Sequence, residues 1–350
     1  MLDRLLKHIR CDLAVDLGTS GTRMAAAGAG VVLDEPSVVA VERETGQILS
    51  GGCAVGQLAR QMQGRTPESI RVVCPLRDGV ITDFTLCEAM LRYFLRKAQP
   101  AGRRLRPRVL VGVPGCITQV EKRAVFNSFF RAGAGQVWLM PQAKAAAIGA
   151  GLPIAEPLAS MVCDVGGGTT EVAVMSLADT VAGRSIRTGG DRMDRAVADY
   201  LRRHYSLQVG LPAAERLRID AGSAAPLEEE RTVEISGLDA VSGLPRKATV
   251  ATEEIRQALA EPLEGIAEAV KATLDGCGPD LAADLLDRGM VLCGGGALLP
   301  GIDRYLREQT GLPVRRSAEP RATVVKGLLI ALEQRDRWRR VIESGEQDGV

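Results

Sequence analysis

Two hairpin motifs of the same pattern, about half a chain apart, constrain the fold of this sequence more than any other feature. Each has an apolar strand, an Asp, a turn of glycines and hydroxyl side chains, and a second apolar strand: the first is Asp12-Leu13-Ala14-Val15-Asp16-Leu17-Gly18-Thr19-Ser20-Gly21-Thr22, and the second turns at Asp164-Val165-Gly166-Gly167-Gly168-Thr169-Thr170-Glu171. Such a turn has no side chains to keep backbone N–H groups away from phosphate oxygens. Because the motif occurs twice, the sequence predicts an internally duplicated protein that binds a phosphate chain from both sides.

A third glycine turn lies in the second half of the chain. It is Gly294-Gly295-Gly296-Ala297-Leu298, and it follows the apolar run Met290-Val291-Leu292-Cys293. One glycine turn alone usually only reverses the chain. A strand, three glycines and a helix, however, leave room for a flat base or a ribose next to the backbone.

The composition excludes several classes of function. At 350 residues the chain is long enough for about two domains. A net charge of +1 gives no bulk electrostatic argument for nucleic-acid binding. Eight scattered cysteines without a C-x-x-C pair indicate free thiols in a reducing cytoplasm, and two histidines argue against a zinc or histidine-based site. We expect no membrane span and no secretory signal, because charged residues interrupt every long apolar stretch.

Two basic segments could contact an anionic membrane. Residues 1–10 place Leu2, Leu5, Leu6 and Ile9 on one side of a predicted helix that carries basic residues elsewhere. The alternatives are a helix packed on its own domain or a frayed terminus. The loop of residues 99–108 has four arginines (Arg103, Arg104, Arg106, Arg108) around Leu105, which we expect to be exposed. Such a loop is usually only solvated, but beside a basic helix it could bind anionic lipid.

The order of predicted elements repeats after Pro153. In the first half a three-strand meander precedes a strand-helix-strand-helix unit, which predicts a mixed α/β sheet with helices packed on it. The second half has a hairpin at 160–175, a strand at 181–187, a helix at 191–204, helices at 252–274 and 279–287, and a strand at 290–293. Residues of about 35–75 and 188–250 are predicted insertions. A last helix is predicted from Ala322 to Ile342, and residues 344–350 are predicted to be disordered.

Longer runs carry a resemblance to a known family. They include Asp34-Glu35-Pro36-Ser37-Val38, Gly64-Arg65-Thr66-Pro67, Pro75-Leu76-Arg77-Asp78-Gly79-Val80-Ile81, Ile117-Thr118-Gln119-Val120-Glu121-Lys122-Arg123, Ala145-Ala146-Ala147-Ile148-Gly149-Ala150-Gly151-Leu152-Pro153 and Gly189-Gly190-Asp191. From residue 12 to about 332 the chain resembles the MreB-type bacterial actins (rod shape-determining proteins) of the actin-like ATPase superfamily.

The resemblance implies an actin-like duplicated (ribonuclease H-like) fold around a nucleotide cleft. Domain I would comprise residues 12–152 and 322–343, and domain II residues 153–321, each with its inserted segment as a smaller subdomain. Residues 1–11 would form an amphipathic N-terminal segment. The protomers would polymerise into filaments.

The resemblance also assigns roles to the residues of the three turns, with ATP and Mg²⁺ as cofactors. Asp16 and Asp164 would face Mg²⁺ through its water shell; alternatively, an Asp at a strand end only caps a turn. Thr19, Ser20 and Gly21 would hold β-phosphate oxygens from one side, and Gly166, Gly167, Gly168 and Thr169 from the other. Glu215 and Arg218 match the adenosine-contacting helix, although the bare spacing also fits a surface pair. Gly294, Gly295, Gly296, Ala297 and Leu298 would line the base.

One residue of the family's catalytic set is changed. The family normally has a Glu-Glu-Pro-Met segment before the alanine-rich helix, and its second Glu orients the attacking water. Here the segment is Pro141-Gln142-Ala143-Lys144. Gln142, assigned to catalysis together with Thr169, can hold a water but cannot accept a proton. We therefore expect retained ATP binding and slow hydrolysis. Lys144 either contacts phosphate or faces solvent. Gly21 and Arg192 also depart from the family pattern and suggest a divergent paralogue.

The resulting hypothesis is an ATP-dependent filament protein at the inner face of the cytoplasmic membrane that organises cell-wall synthesis and cell shape. Expected partners are other copies of the chain, paired or co-polymerised with paralogues, the anionic membrane surface, and membrane proteins of the elongation machinery, but not nucleic acid. A non-hydrolysing scaffold is the alternative. An Hsp70-type chaperone is not expected, because the stretch after the last matched segment is too short for a substrate domain. A sugar kinase is not expected either, because the family-specific runs do not belong to one.

Overall fold

The computed structural model describes residues 11–99 and 105–344. The predicted N-terminal helix of residues 1–10, the residues 100–104 and the predicted disordered segment from 345 onwards lie outside this range. Across the described residues, no helix is both long enough and apolar enough to span a membrane.

The described chain alternates strands and helices. The strands are β1 (Asp12–Leu17), β2 (Gly21–Ala26), β3 (Gly30–Pro36), β4 (Val39–Glu42), β5 (Ile70–Val73), β6 (Leu76–Arg77), β7 (Val80–Ile81), β8 (Arg108–Val113), β9 (Gln136–Pro141), β10 (Ser160–Val165), β11 (Thr170–Ser176), β12 (Asp179–Ile186), β13 (Leu207–Gln208), β14 (Thr232–Asp239), β15 (Pro245–Ala251), β16 (Met290–Cys293), β17 (Val314–Arg316) and β18 (Glu343–Ser344). The helices are α1 (Leu49–Gly52), α2 (Gln57–Met62), α3 (Phe84–Ala98), α4 (Gln119–Ala132), α5 (Gln142–Gly149), α6 (Gly190–Tyr205), α7 (Leu211–Ala221), α8 (Thr252–Ala258), α9 (Ala260–Leu274), α10 (Pro279–Arg288), α11 (Ile302–Thr310) and α12 (Thr323–Glu333).

Two mixed sheets repeat one arrangement. In the six-stranded sheet, of order β18-β9-β8-β1-β2-β3, β1 is antiparallel to β2 and parallel to β8. In the five-stranded sheet, of order β12-β11-β10-β16-β17, β10 is antiparallel to β11 and parallel to β16. The two hairpins therefore occupy equivalent central positions, as the duplicated motif predicts. Both central strands are almost wholly buried, which explains their continuous apolar sequence.

Each of the two predicted insertions contains a small sheet. Strands β4 and β5 pair antiparallel beside the short helices α1 and α2. In the second half, β13, β14 and β15 form a three-stranded sheet next to α7 and α8. The division of the chain into domains at residues 152 and 321 stays a prediction.

Helices α5 and α12 join the two sheets through one apolar cluster. This cluster contains Ala14 and Leu110 from the first sheet and Val162 and Val291 from the second. The two helices touch where glycines face each other. A Cβ on Gly327 would overlap the carbonyl oxygen of Ala145, so the close approach requires glycine.

Two predicted helices are wrong in extent. The helix predicted over 252–274 is divided at Leu259, which ends α8 and begins α9. Pro262 has no N–H for the bond that would continue the helix across this point. The last helix ends at Glu333 instead of Ile342, turns follow, and Glu343–Ser344 pairs with β9. Ser344, predicted to be disordered, therefore lies in a strand.

The described part of the arginine loop differs from the expectation. Leu105 is half-buried rather than exposed. Arg108 begins β8, and its Nε donates to Asp12 Oδ1 over 2.7 Å within an ion pair. Arg108 is therefore already engaged by the protein, whereas Arg106 is exposed.

Candidate functional site

A cavity of about 480 Å³ lies between the two hairpins and is lined by residues of both halves of the chain. Most of the predicted site residues are in its lining, namely Asp16, Thr19, Ser20, Gly21, Gln142, Asp164, Gly166, Gly167, Gly168, Thr169, Glu215, Arg218, Gly294, Gly295, Gly296 and Leu298. Ala297 is not in the lining and is fully buried behind it. The structure thus brings residues from distant parts of the sequence to one cavity, large enough for a small ligand.

The two predicted carboxylates sit at matching places at the ends of β1 and β10. Asp16 and Asp164 are 7% and 9% exposed. Burial raises the pKa of Asp16 above its ordinary value, and burial with the nearby charge of Asp16 raises the pKa of Asp164 to about 7. Two buried carboxyl groups that repel each other favour a cation between them. Among the described residues, no group of three or more His, Cys, Asp or Glu side chains forms a complete protein metal site.

The two glycine turns lie against each other. A Cβ on Gly167 would overlap the Ser20 side chain, and one on Gly168 would come within 2.6 Å of Thr19 Oγ1. Thr19 Oγ1 accepts a hydrogen bond of 3.1 Å from the Gly79 N–H. The glycines are therefore needed for close packing between the halves, as well as for an open backbone.

The turn of the second hairpin is hydrogen-bonded to the first turn of α6, which follows β12 in the chain. The Gly190 N–H donates to the Gly166 carbonyl oxygen over 3.0 Å. Ser20 Oγ, from the first hairpin, donates to Asp191 Oδ1 on α6 over 3.3 Å. The hydroxyl turn of one half is thus bonded to the helix that follows the glycine turn of the other.

Gln142 is the first residue of α5 and is directed at Asp16. Its Nε2 donates to Asp16 Oδ1 over 3.0 Å. Because an ionised carboxylate only accepts hydrogen bonds, the amide nitrogen faces Asp16 and the carbonyl oxygen is left for another donor such as water. Lys144 neither lines the cavity nor is free in solvent, since its ammonium is 3.2 Å from Asp179 Oδ1.

The third glycine turn packs on the second hairpin. Gly294 has a φ of +82°, and a Cβ there would overlap the Val165 carbonyl oxygen. Residues Gly295–Leu298 form a 3-10 turn, and Leu298, 48% exposed, presents an apolar surface to the cavity. This end of the cavity suits a flat apolar group.

The two residues predicted to contact adenosine are both held by ion pairs. Arg218 Nε donates to Asp194 Oδ1 over 2.6 Å, with both side chains largely buried. Glu215 accepts from Arg60 of α2, which lies 155 positions earlier in the chain. Arg60 also donates to Gln63 over 2.7 Å. The Arg60–Glu215 pair therefore connects the two insertions across the mouth of the cavity.

Sequence reasoning gave no site role to several charged residues in or beside the cavity, among them Arg23, Arg60 and Glu171. Arg23 lies on β2 directly opposite Asp16, and Arg60 lines the cavity from α2. Glu171, opposite Asp164 on β11, is 3% exposed, and burial raises its pKa to about 7. Its Oε1 accepts from the Gly115 N–H over 2.9 Å, whereas its Oε2 is buried without a hydrogen-bond partner among the described residues. A charged residue inside an otherwise apolar strand was the available signal for Arg23 and Glu171.

Comparison with known proteins gives one consistent result. The family model for the MreB/Mbl protein matches residues 10–340. The cell shape-determining protein MreB of Escherichia coli strain K12 is 48% identical over 337 residues, which cover 96% of this chain and 97% of that protein. The cell shape-determining protein Mbl of Bacillus cereus is 44% identical over 93% of this chain and 97% of that protein.

Solved structures have the same architecture. MreB5 of Spiroplasma citri bound to AMPPNP superposes with a TM-score of 0.88 at 34% identity, over 95% of this chain and 98% of that chain. The MamK double helical filament shares the fold, with a TM-score of 0.78 at 22% identity over 93% of this chain and 99% of that chain. The fold is therefore actin-like, and the chain belongs to the MreB/Mbl family of bacterial actin homologues.

Proposed function

We propose that this protein binds ATP with Mg²⁺ in the cavity between the two hairpins and uses the state of the nucleotide to control its assembly into filaments. The observation that carries the proposal is the convergence of Asp16, Asp164 and the three glycine turns on one cavity. MreB5 of Spiroplasma citri, with 34% identity, has been solved with AMPPNP and with ADP, which supports nucleotide binding here.

The residues present fit a magnesium-bound nucleotide. Mg²⁺ keeps several waters and is usually held by one or two carboxylates together with phosphate oxygens, which matches the two Asp side chains at the ends of β1 and β10. When bound, the ion neutralises phosphate charge. Asp16 and Asp164 would hold the ion through its water shell. The hydroxyls of Thr19, Ser20 and Thr169 and the backbone of 166–168 bind phosphate oxygens. Glu215 contacts adenosine and keeps its ion pair with Arg60, whereas Arg218 contacts adenosine after turning from Asp194. Gly294, Gly295, Gly296 and Leu298 line the base.

Gln142 positions the water for slow hydrolysis of ATP to ADP and phosphate. Its amide nitrogen is fixed on Asp16, so its carbonyl oxygen can accept from a water near the phosphate end. An amide cannot take the proton from that water, so Gln142 supplies orientation without general-base catalysis. Thr169, in the turn of the second hairpin, binds the γ-phosphate and keeps it in position for attack by that water.

Light scattering and pelleting with ATP, ADP and no nucleotide, combined with phosphate release, test the switch. We expect filaments with ATP, fewer with ADP, and phosphate release that follows assembly. Assembly that is identical in all three conditions would contradict the nucleotide switch.

A scaffold that binds ATP without hydrolysing it is the second candidate. It is favoured by one observation, the amide of Gln142 at the position that would need a carboxylate to accept a proton. ATP-dependent assembly with no phosphate release above the rate in buffer would identify this alternative.

We also propose that the filaments lie at the inner face of the cytoplasmic membrane and organise cell-wall synthesis with membrane proteins of the elongation machinery. Residues 1–10 and Arg103, Arg104 and Arg106 supply the basic and apolar character that an anionic surface attracts. A single short segment binds a membrane weakly, but a filament presents many copies of it and so increases the total membrane affinity. Deletion of residues 1–10 is expected to release filaments from anionic vesicles in co-sedimentation. Unchanged pelleting of the shortened protein with those vesicles would exclude this segment as the anchor.

A further inference from the structure

Three charged side chains form a row across the first hairpin and point to the same side of the sheet. Asp16 on β1 is the register partner of Arg23 on β2, and Arg23 is in turn the partner of Asp34 on β3. Residues directly opposite in antiparallel strands lie on the same face. All three line the cavity. Arg23 therefore lies at the end of the cavity formed by the first hydroxyl turn, where the phosphate chain is proposed to bind.

The guanidinium of Arg23 is buried but only loosely engaged. Its side chain is 15% exposed, and its Nη1 is 3.8 Å from Asp16 Oδ2, which is too long for a direct hydrogen bond. Its Nε is 3.2 Å from Asp34 Oδ1, yet the Nε–H is buried and makes no hydrogen bond to any residue that the structure describes, because it is not aimed at that oxygen. Arg23 thus holds a fixed positive charge with donors still available.

The other arginines of the cavity lining are engaged elsewhere or exposed. Arg218 is bonded to Asp194 at 2.6 Å, and Arg60 is paired with Glu215 across the mouth. Arg321 also pairs with Asp34, at 3.4 Å, but its side chain is 55% exposed. Arg23 is also near the turn itself, since a Cβ on Gly21 would be 3.9 Å from its Nη2. Of these four guanidinium groups, Arg23 is the one placed and free to meet phosphate oxygens.

We propose that Arg23 is a phosphate-binding residue whose guanidinium turns from Asp16 and Asp34 to the β- and γ-phosphate oxygens of the bound nucleotide. The inference rests on the proposed nucleotide binding. A planar guanidinium matches phosphate oxygens with two parallel hydrogen bonds, and these are stronger when water is excluded. Arg23 would therefore supply part of the neutralising charge that Mg²⁺ otherwise provides alone, so nucleotide binding should depend less on Mg²⁺.

The test is the dissociation constant of ATP, ADP and AMP, measured by calorimetry with Mg²⁺ and with a chelator. Arg23→Leu is expected to weaken ATP binding about tenfold, the value of one charge-assisted hydrogen bond, and ADP binding less. The dissociation constant of AMP, which lacks the β- and γ-phosphates, should change no more than about twofold. Arg23→Lys keeps the charge without the planar fork and should lie in between. With the chelator, the loss caused by Arg23→Leu should be larger.

Arg43→Leu is the control, because Arg43 is an exposed arginine that pairs with Glu68 outside the cavity lining. If both variants weaken ATP binding equally, or if Arg23→Leu weakens AMP as much as ATP, the effect does not come from contacts with the β- and γ-phosphates and the assignment is overturned. Circular dichroism checks folding, and Arg23→Lys carries the test if Arg23→Leu does not fold. A wild-type protein that binds no nucleotide overturns the proposed function and this assignment together. Unchanged ATP binding by Arg23→Leu overturns the assignment alone.

Discussion

At the scale of single residues, Gln142 determines how much chemistry the cavity can perform. Gln142→Ala removes both the hydrogen bond to Asp16 and the carbonyl group that orients water. We expect phosphate release from ATP to slow about tenfold with little change in ATP affinity, because orientation is lost while the phosphate contacts remain. Gln142→Glu restores a group that can accept a proton and should raise phosphate release above the parent rate when Mg²⁺ is present. Single-turnover phosphate release measures both variants.

The same substitution offers its own control. The amide nitrogen of Gln142 lies 3.0 Å from Asp16 Oδ1. A carboxylate oxygen in its place would repel Asp16, so Gln142→Glu should also lower the stability of the protein in the absence of Mg²⁺. Unchanged phosphate release by Gln142→Ala, or a Gln142→Glu protein no faster than the parent, would contradict the role of Gln142.

Glu171 makes the stability of the free protein depend on pH. Burial raises its pKa from 4.5 to about 7 in the folded state, so between these values the folded protein binds more protons than the unfolded chain. Stability therefore falls as the pH rises from about 4.5 to about 7, and it changes little from this group outside that range. Glu171→Gln should flatten the fall.

Urea unfolding of the nucleotide-free protein across this pH range measures the slope. Glu68→Gln, at a side chain that is 92% exposed, is the control and should leave the slope unchanged. A Glu171→Gln variant with the parent slope would show that Glu171 is ionised in the folded state.

Among the residues that the structure brings to the cavity, the sequence could indicate those whose signal is local. The Asp and glycine residues of each turn are adjacent in the chain, and a duplicated motif makes them recognisable. Arg23 gave only the signal of a charged residue inside an apolar strand, because its position depends on the register of β2 against β1. The position of Arg60 depends on how α2 packs across the cavity. Those relations are set by tertiary structure.

At the scale of elements, the contact between α5 and α12 holds the two halves together. Both helices belong to the apolar cluster that reaches both sheets, and a methyl group at Gly327 would overlap the Ala145 carbonyl oxygen. Gly327→Ala is therefore expected to destabilise the protein by about 2 to 3 kcal/mol through overpacking. Gly265→Ala, within α9 and with open space around it, should instead be neutral or stabilising by up to about 1 kcal/mol. Urea unfolding measures both, and a Gly327→Ala protein as stable as Gly265→Ala would show that the helices separate at no cost.

The ion pair between α2 and α7 is expected to slow the exit of nucleotide. Arg60 and Glu215 are about one-third exposed and connect the two insertions across the cavity mouth. Arg60→Ala should raise the rate of ADP dissociation about threefold, the modest value of a partly exposed ion pair. Arg43→Ala, which breaks an exposed pair with Glu68 on the same insertion, is the control and should change nothing. Stopped-flow release of a fluorescent ADP measures the rates, and equal rates in all three proteins would exclude a closing role for this pair.

The element boundaries that the sequence missed have physical causes. The apolar periodicity predicts one continuous helix over α8 and α9. Pro262, however, has no N–H to complete the helical hydrogen bonds where the two helices meet. The apolar pattern continues after Glu333, where the sequence predicts more helix. Trp338 and Val341 are indeed buried in the apolar cluster shared by α5, α12 and both sheets, but they lie in successive turns and not in a helix. Short-range patterns cannot distinguish these two ways of burying the same residues.

At the scale of the whole molecule, the two sheets with their hairpins form a duplicated structure, and a single cavity lies between the equivalent turns. The actin-like fold could be predicted because its motifs repeat and because long runs of sequence resemble the family. The surfaces that join protomers in a filament could not, because they depend on exposed residues far apart in the sequence and follow no local pattern.

Calorimetric titration of the full-length protein with ATP and Mg²⁺ tests the central claim most directly, namely that Asp16 and Asp164 together bind a magnesium nucleotide between the hairpins. We predict saturable heat for one nucleotide per chain, and loss of the Mg²⁺-dependent part of the affinity in Asp16→Asn and Asp164→Asn. No heat of binding in the folded parent protein, or affinity in both variants that responds to Mg²⁺ as in the parent, would contradict the account.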